Sequence, residues 1–114
     1  MGKGGNLGEF EEIVLLSVAG LGSDGHGATI HEAILEATDR DVSIASVYVT
    51  LSRLEQKGLV RSGVAPANNQ RGGRPRKTFG LAEEGVAQLR RSRMVQERLW
   101  RGLAFDPAVS ERGS

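Results

Sequence analysis

Apolar residues near the start of the chain recur at helical spacing. Phe10, Ile13, Val14, Ser17, Val18 and Leu21 fall at i, i+3, i+4, i+7, i+8 and i+11, the broad stripe of a helix that buries one face. Asn6 followed three residues later by Glu9 resembles a capping box, and Glu9, Glu11 and Glu12 place negative charge at a helix start, so this helix is predicted from near Gly8. Glycines at 20, 22, 25 and 27 end it. A short second helix is predicted from about Gly27 to Thr38, with Ile30, Ala33, Ile34 and Ala37 on one face. After the turn Asp39-Arg40-Asp41-Val42, Ser43 caps a third helix, with Val42 and Val47 at the two positions of a hydrophobic staple. Its inward stripe reads Ile44, Val47, Tyr48, Leu51 and Leu54, and Gly58 stands where a helix end takes a left-handed residue.

Beyond Gly58 the period changes. Residues 59–64 read as a short strand and residues 77–81 as its partner, with a polar loop between them. From Ala82 a last helix carries Val86, Leu89, Val95, Leu99, Trp100 and Leu103, which no single face holds at ideal spacing, so it is expected to serve two surfaces. Phe105-Asp106-Pro107 stops it. Three helices, two strands and a helix make a mainly α fold with a small β-hairpin, the order of a winged helix-turn-helix followed by a C-terminal helix. The expected division is 1–6 as a disordered N-terminus, 7–81 as the winged helix-turn-helix, 82–104 as the C-terminal helix and 105–114 as a flexible tail.

Composition agrees with one folded domain: 114 residues, 39% apolar and 25% charged with a net charge of +1. The longest apolar stretch, residues 13–21, is interrupted by Ser17 and covers about half of the ~20 residues a bilayer helix needs. No signal peptide is read at the start, and the absence of cysteine excludes disulfides and thiolate metal sites, so the expected location is cytoplasmic. No cofactor is expected.

Charge is unevenly spread. Residues 9–41 hold eight acids against Arg40 alone, whereas residues 53–93 hold ten bases against Glu55, Glu83 and Glu84. The basic third attracts a polyanion even though the whole chain is nearly neutral. With its apolar stripe buried, the third helix turns Ser46, Val49, Arg53, Gln56 and Lys57 outward, with Ser43 and Thr50 on the shoulder. Ser46, Val49 and Thr50 suit base edges, Val49 against a thymine methyl, and Arg53 suits guanine or phosphate. By itself this is what any amphipathic helix shows, but the hairpin loop adds Arg71, Arg74, Arg76 and Lys77 with no carboxylate between them. Within it Gly73-Arg74-Pro75-Arg76-Lys77 resembles an AT-hook core, where arginine lies along a narrow minor groove; contact with phosphates alone is the other reading.

The chain resembles the PadR family of bacterial transcription regulators. The resemblance is carried by residues 7–11, Gly25-His26-Gly27, residues 42–48 through Leu51, residues 54–60, Gly72-Gly73-Arg74 and residues 81–85. It implies a dimeric DNA-binding repressor and no enzyme activity, with the third helix and wing on DNA and the last helix at the dimer contact. Tyr48 is then the family's third-helix aromatic, with a hydroxyl able to reach a phosphate or a ring that simply packs. Leu89, Val95, Leu99, Trp100 and Leu103 form the expected dimer interface. Paired copies of Trp100 would pack together or sandwich a flat apolar ligand; any small-molecule effector is unidentified.

The expected function is sequence-specific transcriptional repression by a homodimer on a pseudo-palindromic site in double-stranded DNA. A protein-interaction module of the same fold, or a nonspecific architectural DNA binder, is the alternative. Residues 20–25 also fit a dinucleotide-binding fingerprint, with residues 13–19 as its strand, but no later βαβ units follow. His26 and His31 are five apart and lack a third metal ligand, which favours structural roles.

Overall fold

The computed structural model describes residues 7–65 and 75–105. Its first helix, α1 (Glu9–Leu21), is started by Gly8, whose N–H donates to Glu11 Oε1 at 3.0 Å. The cap therefore closes on Glu11 rather than on Glu9, and Asn6 lies outside the described residues. Val14, Leu15 and Val18 are fully buried, while Phe10, Ile13 and Leu21 pack partly against the same core. Leu15 falls outside the expected stripe because α1 is central, touching α2 (Gly27–Thr38), α3 (Ile44–Gln56) and α4 (Glu83–Arg101). The segment considered as a dinucleotide-binding strand is thus helical, and a 3-10 turn, Gly22–Asp24, follows it.

The link from α2 to α3 is held by local chemistry. Asp39 takes a left-handed conformation (φ 58°) and donates its N–H to Leu35 O at 2.8 Å, ending α2. His31 then bridges to the Val42 carbonyl at 2.7 Å, tying the turn back to α2, a structural role for this histidine. Ser43 caps α3 by accepting from Ser46 N at 3.0 Å. Gly58, at φ 80°, lets the chain leave α3 in a conformation that a Cβ would oppose.

Strands β1 (Val60–Ala65) and β2 (Arg76–Leu81) pair antiparallel, with Val60 opposite Leu81 and Ala65 opposite Arg76. The hairpin is also joined by the chain entering α2: Phe79 N donates to Gly25 O at 2.7 Å and His26 bridges to Thr78. The wing is thereby fixed to the start of the helix-turn-helix.

The core combines Val14, Leu15 and Val18 with Ile30, Ile34, Val47, Leu51, Leu54, Leu59, Val60 and Phe79. Each such side chain contributes roughly 1.5–3 kcal/mol by leaving water. Over this core α4 docks only by its first half. Ala82 N donates to Leu59 O at 3.0 Å, Gln88 is buried, and Ser92 Oγ donates to Glu12 Oε2 at 2.9 Å. From Arg93 to Arg101 every residue of α4 is exposed.

Candidate nucleic-acid interface

The orientation of α3 decides what it offers to a partner. Its buried positions are Val47, Thr50, Leu51 and Leu54. At 100° per residue their mean direction is rotated roughly 45° from the stripe expected from the sequence, because Ile44 and Tyr48, apolar enough to look internal, are exposed. The residues pointing most directly outward are therefore Ala45, Val49, Ser52 and Gln56, all exposed, with Ser46 and Arg53 on one flank and Tyr48 on the other. Ala45 and Ser52 were not singled out by sequence reasoning, although they lie on the correct face once Thr50 is placed inside.

Thr50 itself corrects an expectation. It is 5% exposed and its hydroxyl donates to Ser46 O at 2.8 Å, so it presents nothing to a base edge. At the start of α3, Ser46 Oγ donates to Ser43 O at 2.8 Å while Ser43 Oγ accepts from Ser46 N. These bonds leave a hydroxyl proton on Ser43 and lone pairs on Ser46 for an external partner.

The other flank of α3 meets the wing. The Tyr48 ring stands edge-on to Phe79, 6.5 Å between centroids. Its hydroxyl end occupies the space a Cβ at Gly27 would need, so the phenol sits over the first turn of α2. On β2, Arg76 Nη1 donates to His26 Nε2 at 3.1 Å; a guanidinium can only donate, so the imidazole accepts there. Lys77 Nζ lies 5.6 Å from the Phe79 ring centroid, in cation–π range. The arrangement gathers two wing cations, a phenol and the N-terminus of α2 beside the open face of α3. Arg71 and Arg74, with most of the loop resembling an AT-hook, lie outside the described residues.

The sequence pattern of the transcriptional regulator PadR-like family matches residues 15–91, well over half the chain. The chain belongs to this family. A PadR family transcription regulator from hypervirulent Clostridium difficile R20291 superposes with a TM-score of 0.60 at 26% identity, covering 81% of this chain and 88% of that one. The solved complex of hsRosR-S4 shares the fold at 18% identity, with a TM-score of 0.70 over 96% of this chain and 88% of the other. TA0346 of Thermoplasma acidophilum does so at 17% identity, with a TM-score of 0.56 over 82% and 91%. No curated protein is similar enough to count as a match.

The PadR-like chain is a DNA-binding transcription regulator, of a family whose members are in general not enzymes. Among the described residues no helix is long and apolar enough to cross a membrane, and no group of three acidic or imidazole side chains is arranged to hold a metal.

Two further expectations about this PadR-like protein change. Lys57 does not extend from α3 into open solvent: its ammonium lies 3.0 Å from both carboxylate oxygens of Glu11 on α1. Burial would raise the Glu11 pKa, but the Gly8 N–H, the Lys57 ammonium and the nearby Arg53 charge outweigh it and hold the carboxyl below its ordinary value. Leu89, expected at a dimer contact, is partly buried against the chain's own core. Val95, Leu99, Trp100 and Leu103 remain open, at 50%, 69%, 42% and 37% exposure. Trp100 meets only the edge of Phe105 among aromatic partners in the described residues, 5.7 Å between centroids.

Proposed function

We propose that this PadR-like regulator is a homodimeric repressor that reads a pseudo-palindromic operator. The carrying observation is the open face of α3, with Ser46, Ser52, Arg53 and Gln56 on or beside it, flanked by the Arg76 and Lys77 strand, which is itself bonded to the entrance of α2. In this reading Ala45, Ser46, Val49, Ser52 and Arg53 face base edges in the major groove, with Ser43 and Gln56 at either end. Tyr48, Arg76 and Lys77 hold the phosphate backbone beside them, and Arg71 and Arg74 extend that contact. Occupying the site is enough to block other proteins from it, so repression needs no catalytic step.

The dimer in this reading is supported by the surface of α4. Gln88, Ser92, Val95 and Leu99 fall on one continuous stripe of α4, whose first part lies against α1 and whose later part is uncovered, and Leu103, just past the helix end, is exposed too. A second copy covers that apolar segment and places two recognition helices about one DNA turn apart, or a multiple of it. The proposed division is therefore 7–81 for DNA contact and 82–104 for dimerisation, between the terminal segments 1–6 and 105–114. No cofactor takes part.

The test is a fluorescence-anisotropy titration of the wild type and Arg76→Ala with duplex DNA at several salt concentrations. The variant is expected to bind more weakly, with a salt slope lower by about 1 per protomer. An unchanged slope would remove Arg76 from the phosphate contacts.

A further inference from the structure

We infer that Glu11 is a positioning residue that withholds Lys57 from DNA, limiting the nonspecific electrostatic affinity of the recognition helix. The inference rests on the reading of α3 as the DNA-facing helix. Lys57 closes the C-terminal end of α3, its backbone N–H donating to the carbonyls of Arg53 and Glu55. Its side chain is 41% exposed, enough for a four-carbon stem to swing outward, whereas that of Glu11 is only 10% exposed. The ammonium meets both Glu11 oxygens at 3.0 Å, while Oε1 also accepts from Gly8 N.

That carboxylate is fixed from two directions. Its backbone sits in the first turn of the central helix, and its own side chain caps that helix. It therefore cannot follow the lysine outward, and a DNA phosphate must compete with a preformed, partly desolvated anion for the same ammonium. Arg53, one turn earlier on α3, also lies within the field of Glu11, so the carboxylate faces both cations of the helix end. A DNA-binding helix that ends in two cations would by itself add two phosphate contacts regardless of sequence. Glu11 leaves Arg53 exposed on the outer flank and holds Lys57 inward.

Replacing Glu11 by glutamine keeps the size and one acceptor but removes the charge. Lys57 is then released toward solvent and becomes available to the phosphate backbone. The predicted gain is one more counterion-releasing contact per protomer, a salt slope steeper by about 0.9. Between 50 and 200 mM salt, Glu11→Gln should accordingly lose ~3–4-fold more affinity per protomer than the wild type.

The experiment measures the salt dependence of binding to a scrambled duplex, so no operator need be known. It compares the wild type, Glu11→Gln, Lys57→Met and the double variant, full-length in each case. The expected result is a steeper slope for Glu11→Gln, a return to the wild-type slope when Lys57→Met is added, and no change for Lys57→Met alone. A purely structural role for Glu11 would lower affinity or stability without steepening the slope, and would overturn the inference. So would a Lys57→Met slope shallower than wild type, which shows Lys57 already on phosphate; this arm decides the matter even where Glu11→Gln does not fold. Failure of the underlying reading looks different: the wild type itself would show no salt-dependent binding to the duplex.

Discussion

The buried hydroxyl of Thr50 donates to the Ser46 carbonyl, while Arg53, three positions on, is exposed. Substituting the first should leave DNA recognition alone and substituting the second should not. Thr50→Val is expected to change stability by no more than about 1 kcal/mol, since the Ser46 carbonyl keeps its helical partner, and to bind DNA as the wild type does. Arg53→Ala is expected to weaken binding to a specific duplex by ~1–3 kcal/mol. Equilibrium unfolding and anisotropy on the two variants measure both. The sequence placed Arg53 and Val49 on the open face but left Thr50 on its shoulder, within reach of a base edge, where the structure buries it. The cause is Ile44 and Tyr48: a hydrophobicity pattern counts them as internal, which turns the inferred axis of the helix. Tyr48 is instead drawn to the start of α2, where Gly27 leaves room for its ring, a fit between residues 21 positions apart that periodicity does not record.

Element boundaries were legible where short-range chemistry sets them. Ser43 and Gly58 bracket α3 in sequence and in structure, and the hairpin strands differ from their expected limits by a residue at most ends. What packs on an element was less so. Glu11 and Lys57 are 46 residues apart, and neither the acid of α1 nor the lysine of α3 carries a sign of the other. The approach of α4 to the hairpin depends on a similar long-range fit: a Cβ at Gly85 would strike the carbonyl oxygen of Leu59, which is backbone and cannot turn aside. Gly85→Ala is therefore expected to destabilise by ~1–3 kcal/mol through overpacking, despite the better helix propensity of alanine. Urea unfolding checks it; a stabilised variant would mean that α4 sits farther from Leu59.

At the scale of the whole molecule, the Glu11 carboxylate contributes to acid stability. Its folded pKa is lowered, so its contribution is fully present above the ordinary glutamate value and is lost as pH falls through the lowered one. Unfolding curves across that acid range should fall more steeply for the wild type than for Glu11→Gln. The second molecular feature is the uncovered end of α4. Leu99→Asp, 69% exposed at the wild-type leucine, should leave the fold intact, run as a monomer in light scattering against the dimer expected of the wild type, and bind DNA more weakly. Of the residues that the sequence offered for this surface, Val95, Leu99, Trp100 and Leu103 are open while Leu89 packs partly on the chain's own core, because intramolecular and intermolecular burial draw on the same apolar residues.

The central claim, a regulator that reads sequence, is tested most directly by anisotropy titrations against duplex DNA from upstream of its own gene and a scrambled duplex of equal length, at two salt concentrations. The account predicts tighter binding to the upstream duplex by ~10³ or more, the margin by which specific sites usually exceed nonspecific ones. Equal and steeply salt-dependent binding to both would contradict it, leaving an architectural role in which α3 and the wing contact only the phosphate backbone.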